Sequence, residues 1–210
     1  MVLRSKVLIA LTLAALGAAL AATGLMLVAV PVPTVATSGT AAIGGPFTLV
    51  AMDGETVTDQ AYRGKWLLLF FGYTFCPDAC PTTLNNISVA LEKLGSDAGK
   101  LQPLFITVDP RRDTREVISD YLKSFDPRII GLTGTQGQID SMVKEYRVYV
   151  AQQKSESEDD DYLVSHSAYV YLIDPEGKFV NVIQGNETGE NIAAWLRKEM
   201  TGAKRRRSGE

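Results

Sequence analysis

Residues Trp66-Leu67-Leu68-Leu69-Phe70-Phe71 are apolar without interruption. A short run with no polar alternation reads as a strand buried on both faces, and a sheet sandwiched between helices provides such a place. A turn, Arg63-Gly64-Lys65, precedes it. Gly72-Tyr73-Thr74-Phe75-Cys76-Pro77-Asp78-Ala79-Cys80-Pro81 follows it. Pro81 suits the first position of a helix, where its missing N–H has no partner to lose. That places Cys80 at the N-cap, with Cys76 to Cys80 as the turn leading in. Leu84, Ile87, Leu91 and Leu94 then recur at helical spacing, and Gly95 ends the helix.

Other segments extend the same pattern. Phe47 to Met52 reads as a first strand, Asp53-Gly54 as a turn and Thr56 to Thr58 as a hairpin return. Leu104 to Val108 is a second buried strand. Asp113 or Thr114 caps a helix to Phe125, and Ile129 to Leu132 is a short strand. Thr135 with Gln138 fits a capping box for a helix to Tyr146. Val148 to Ala151 is extended, and the polar stretch from Gln152, with its acidic run Glu156 to Asp161, reads as a solvated loop. Ala168 to Ile173 and Phe179 to Ile183 form a hairpin around Asp174-Pro175-Glu176-Gly177, and Thr188 caps a last helix. Strands alternating with helices, then a hairpin and a helix, predict an α/β thioredoxin-like fold, with a central mixed sheet flanked by helices.

The N-terminus bounds the compartment. Val7 to Val30 is apolar but for threonines and glycines, behind the basic Arg4 and Lys6. As a helix it would be about 36 Å long, enough to cross a hydrocarbon core of about 30 Å, and it exceeds the h-region of a cleavable signal. The expected organisation is a membrane anchor over 1–30, a Pro/Thr/Ser/Gly linker over 31–46, one domain over 47–202 and a basic tail over 203–210. The basic N-terminus stays in the cytoplasm, so the domain lies across the membrane. That side is the periplasm in a bacterium or the intermembrane space of a mitochondrion. A net charge of −3 argues against a general nucleic-acid binder.

The chain has 2 cysteines and 1 histidine, His166. Two cysteines are too few for a disulfide scaffold. A helix N-terminus stabilises thiolates, which makes them nucleophiles or metal ligands. Four residues apart on one turn, their Cα atoms lie about 6 Å apart, within reach of a disulfide. A stapling bridge there closes so short a loop that it removes little unfolded-state entropy. A lone histidine is commonly a core or surface residue bonded to the backbone. Here His166 lies between the acidic loop and the next strand, where a loop can fold over the cysteine turn. Two thiolates and one imidazole form a soft donor set that selects Cu(I), Zn(II) or Fe–S clusters. Zn(II) wants a fourth ligand, and no other Cys or His exists to supply it. A three-donor site suits Cu(I), or Cu(II) with an added oxygen ligand.

These residues resemble the SCO/SenC family of copper proteins that assist assembly of cytochrome c oxidase. Phe71-Gly72-Tyr73-Thr74 with Cys76-Pro77-Asp78-Ala79-Cys80-Pro81 is similar to the family signature. So are Phe105-Ile106-Thr107-Val108-Asp109-Pro110, Arg112-Asp113-Thr114, Gly131-Leu132-Thr133-Gly134 and His166-Ser167 with Tyr171 to Gly177. The resemblance implies that Cys76, Cys80 and His166 bind copper. It further implies copper delivery to, or thiol reduction in, the dinuclear copper site of oxidase subunit II. A copper donor and a thiol reductant are then expected partners. One departure is that the family usually carries Asp before the ligand histidine, where this chain has Ser165.

Two other activities compete for the same turn. A thiol–disulfide reductase would use Cys76 and Cys80 as a redox pair. A thiol peroxidase is the weaker reading, since Thr74-Phe75-Cys76-Pro77 is only faintly similar to the peroxiredoxin turn, and a peroxidase has no use for His166. The topology has its own test. A reporter active only in the cytoplasm, fused after Glu210, is expected to be silent, and a working reporter would put the domain on the other side.

Overall fold

The computed structural model describes residues 43–153 and 162–208, with side chains as far as Gly202. The expected anchor over 1–30, most of the linker and the acidic run Glu156 to Asp161 lie outside the described residues. Among those residues, no helix is long and apolar enough to cross a membrane.

Among the described residues, nine strands and four α-helices make an α/β fold with a mixed central sheet. The strands are β1 (Thr48–Ala51), β2 (Thr56–Thr58), β3 (Trp66–Gly72), β4 (Leu101–Thr107), β5 (Ile130–Thr133), β6 (Val150–Gln153), β7 (Leu163–His166), β8 (Tyr169–Ile173) and β9 (Phe179–Gln184). The helices are α1 (Ala79–Leu94), α2 (Arg115–Leu122), α3 (Gln136–Glu145) and α4 (Gly189–Ser208). Seven strands form one sheet in the order β2-β1-β5-β4-β3-β8-β9, and β6 pairs with β7 in a separate ribbon. β3 and β4 run parallel, as do β4 and β5, while β8 lies antiparallel to β3.

Every residue of β3 is buried, as an uninterrupted apolar run requires of a central strand. α1 and α4 pack on one another, and Val89 of α1 leaves no room for a side chain at Gly189. α2 packs against β5 and α3 against β1. Thr114 caps α2 by accepting from the Val117 N–H, and Thr135 with Gln138 closes the expected capping box on α3.

Several boundaries move, each for a local reason. α1 begins at Ala79 with Asp78 as N-cap, not at Pro81 with Cys80 as N-cap. Pro81 is still in the first turn, where no N–H has an intrahelical partner. β4 starts at Leu101 rather than Leu104, with Pro103 inside it. Proline is tolerated because only β3 lies beside β4 there, and β5 joins opposite Leu104. α2 stops at Leu122, short of Phe125. The segment expected as loop from Gln152 contributes to β6, and β7 carries His166 where no strand was expected. The backbone of residues 203–208, expected as a tail, continues α4.

α2 approaches β5 so closely that a β-carbon at Gly131 would clash with Ile118 Cγ2 and lie 2.9 Å from Leu122 Cδ1. Gly131→Ala should therefore destabilise the domain. Overpacking costs about 1–3 kcal/mol, against about 0.5–1 kcal/mol regained by removing a strand glycine. Urea unfolding of parent and variant checks the sign.

Candidate metal centre

β3 ends at Gly72, opposite Thr107 of β4, and the Val108 N–H donates to the Gly72 carbonyl at 2.8 Å. The two following loops therefore leave the same sheet edge side by side. Asp113, wholly buried, reaches across from the second loop to the first. Its carboxylate accepts from the Thr74 N–H at 3.1 Å, from the Thr74 hydroxyl at 2.6 Å and from the Thr107 hydroxyl at 2.6 Å. Burial pushes the Asp113 carboxyl up, and these donors oppose it. The cysteine turn is thereby pinned one residue after Tyr73.

From that anchor the turn runs to Cys76, whose N–H bonds the Tyr73 carbonyl at 3.3 Å. The Cys76 sulfur accepts from the Cys80 N–H at 3.4 Å. It thus takes an orphan N–H of the first turn of α1, the work normally done by a side-chain oxygen. Cys80 is fully buried, and its sulfur lies against Gly72, where a β-carbon would come within 2.9 Å. Only glycine at the end of β3 admits the sulfur. Neither cysteine is in a disulfide.

His166, last in β7, completes the cluster. Its Nε2 lies 3.3 Å from Cys80 Sγ. Nδ1 lies 3.2 Å from the Ser167 carbonyl, which can only accept, so the proton sits on Nδ1 and the Nε2 lone pair faces the sulfurs. The rings of Phe70 and Tyr73 meet the imidazole edge-on at 6.1 and 5.9 Å between centroids. Ser165, where an acidic residue was expected by resemblance, accepts from the Gln153 side chain at 2.6 Å and belongs to the ribbon.

The donor atoms of Cys76, Cys80 and His166 all lie within 4.8 Å of one another. Metal–sulfur bonds of about 2.3 Å place two ligands of one ion at most about 4.6 Å apart, so the trio needs little closure to hold one ion. The sulfurs are unequal. The hydrogen bond from Cys80 holds the Cys76 thiol far below the ordinary range, aided by the backbone N–H groups of Asp78 and Cys80 and opposed by burial. The same bond and burial push Cys80 up. Cys76 is therefore the thiolate of the pair and Cys80 keeps its proton.

The sequence pattern singled out all three donors, and the fold brings them together. It did not single out Asp113 as a buried carboxylate, since that residue reads as a possible helix cap and as part of a block similar to the family. Nor did it mark Gly72 as the seat for a sulfur. A fully buried acidic residue has no local signature, because burial is settled by partners far along the chain.

A parallel-cored α/β domain with two thiols at a helix start and an imidazole above them defines a soft-metal or thiol-redox protein. This chain belongs to the SCO1/SenC family, whose model matches residues 35–201. It is 44% identical over 164 residues to Protein SCO1 homolog 1, mitochondrial, of Arabidopsis thaliana, covering 78% of this chain and 48% of that protein. It is 42% identical over 160 residues to the human Protein SCO1 homolog, mitochondrial, covering 75% of this chain and 53% of that protein. The chain thus spans about half the length of these curated relatives. The structure of Bradyrhizobium japonicum ScoI with copper bound is similar with a TM-score of 0.69 and 45% identity, over 75% of this chain and 99% of that one.

The thiol order has a chemical readout. In the reduced, metal-free chain near neutral pH, iodoacetamide should label Cys76 first and Cys80 slowly, as read by peptide mass mapping. A thiol whose folded pKa is depressed contributes stability that is present above its unfolded value of about 8.5 and is lost as pH falls toward the folded one. Labelling of Cys76 should therefore change little from pH 6 to pH 8, whereas an ordinary thiol gains about tenfold per pH unit.

Proposed function

We propose that this chain is a membrane-anchored copper carrier. In this reading Cys76, Cys80 and His166 hold one copper ion as cargo and pass it to the dinuclear copper site of cytochrome c oxidase subunit II. The observation that carries the reading is the convergence of two sulfurs and one imidazole lone pair within 4.8 Å. Soft thiolates and a three-donor count favour Cu(I), and Cu(II) would need an added oxygen ligand. A three-ligand site also leaves one side open to an incoming donor or acceptor. The copper-bound relative from Bradyrhizobium japonicum supports the choice of metal.

The proposed organisation is an anchor over 1–30, a linker over 31–46, a thioredoxin-like domain over 47–202 and a basic end over 203–210. The domain would face the periplasm, or the intermembrane space in a mitochondrion, and the mitochondrial names of the relatives support a compartment across a membrane. That compartment is oxidising, so a thiol reductant is needed to keep Cys76 and Cys80 reduced, along with a copper donor.

The asymmetry of the thiols supports a second activity on the same pair. Cys76 thiolate would attack a partner disulfide, releasing one partner sulfur as thiolate. Cys80 would then lose its proton and attack Cys76 Sγ, closing the intramolecular disulfide and freeing the second partner sulfur. The two electrons pass from Cys76 and Cys80 to the partner. Copper holding and this exchange compete for the same sulfurs.

The fully reduced chain is expected to take up one copper, with X-ray absorption showing two sulfurs and one nitrogen. Cys76→Ser or Cys80→Ser should weaken Cu(I) binding by orders of magnitude against a competing chelator. Mild oxidation to the disulfide, confirmed by mass, should abolish it. Binding displaces the protons of the ligands, so uptake should weaken as pH falls. A spectrum with only oxygen and nitrogen neighbours, or full affinity after oxidation, would sink the reading.

A further inference from the structure

His166 sits on the ribbon β6–β7, which is no part of the seven-stranded sheet. Something else must seat it over the sulfurs. Tyr162, Val164 and His166 alternate along one face of the strand, and Tyr162 and Val164 are buried while Leu163 between them is exposed. The Val164 N–H donates to the Tyr73 hydroxyl at 3.3 Å. The Tyr162 hydroxyl donates to Asp109 Oδ1 at 2.6 Å. Asp109 is only 4% exposed, and its other oxygen accepts from Arg112 Nε at 2.6 Å. The Arg112 guanidinium lies 3.7 Å from the centre of the Tyr162 ring and 4.8 Å from that of Phe75, the residue before Cys76. One cluster thus touches both ligand-bearing segments, the cysteine turn through Phe75 and the histidine ribbon through Tyr162.

We infer that the Tyr162–Asp109–Arg112 clasp seats His166 against the two sulfurs, which makes Tyr162 a positioning residue for the third ligand. The inference rests on the copper-carrier reading and adds to it the device that sets how firmly cargo is held. With the ribbon seated the site offers three donors, and with it lifted only two sulfurs remain. The hydroxyl-to-carboxylate bond is charge-assisted and buried, so it is among the stronger bonds available to hold a two-stranded ribbon that lacks sheet pairing.

The test is a double-mutant cycle on the full chain in detergent, reduced, with Cu(I) titrated against a competing chelator. Tyr162→Phe keeps the ring beneath Arg112 and removes only the donor. It should lower affinity about 10–100-fold in the parent background, the range for groups that orient a metal ligand. In a His166→Ala background it should change nothing, because the Tyr162 hydroxyl holds only the ribbon that carries His166. An equal loss in both backgrounds, or no loss in the parent, overturns the inference. If Tyr162→Phe folds poorly by its thermal midpoint, Asp109→Asn goes through the same cycle under the same criteria, since it keeps the side-chain shape and removes the charge that the Tyr162 hydroxyl meets. A parent chain whose affinity is unmoved by His166→Ala overturns the copper-ligand reading itself, and the inference falls with it.

Discussion

The parallel pairing of β3 with β4 is the constraint on which the rest depends. It sets Gly72 opposite Thr107, so the cysteine turn and the loop to α2 emerge together at one sheet edge. From there the buried carboxylate of Asp113 can reach Thr74 and Thr107 at once. A one-residue slip of that register would turn every side chain of β3 to the other face and move Gly72 away from the Cys80 sulfur. The long apolar run of β3 and the wholly buried β4 make such a slip costly, which is why a site built from a loop can be held in a fixed place.

The chemistry follows from unequal treatment of similar groups. Cys76 lies at the rim, where backbone N–H groups and its neighbour's proton favour the thiolate. Cys80 is packed against a glycine in the interior, where charge is disfavoured. The histidine has one nitrogen committed to a backbone carbonyl and the other left as a lone pair. One pair of sulfurs can therefore serve as nucleophile and resolving thiol, or as metal ligands, but not both at once. The same asymmetry leaves the Cys76 side of the site open, next to the exposed ring of Phe75.

Much of this was legible in the chain. The apolar run of β3, the capping box at Thr135, the Thr114 cap and the leucines of α1 are local patterns, and local patterns survive without tertiary context. The boundary errors were local as well. Pro81 suits the first helical position, although the first turn tolerates proline anywhere, and Pro103 masks three residues of β4 because its tolerance depends on where β5 begins. β7 escaped notice because Leu163 to His166 carries one well-buried apolar residue, Val164, and its partner β6 stands across an acidic stretch.

The amino-acid sequence alone determined the inventory. It set which residues could ligate a soft metal, how the two cysteines are spaced, and that a doubly buried strand delivers them to a helix start. Tertiary structure alone decided which residues meet. It placed His166 at 3.3 Å from Cys80, Asp113 beneath Thr74, and Tyr162 on Asp109. The physical reason is that spacing and capping are fixed by neighbours within a turn or two. Contacts between distant residues depend instead on sheet register and on how a ribbon is seated, and neither leaves a periodic trace in the chain.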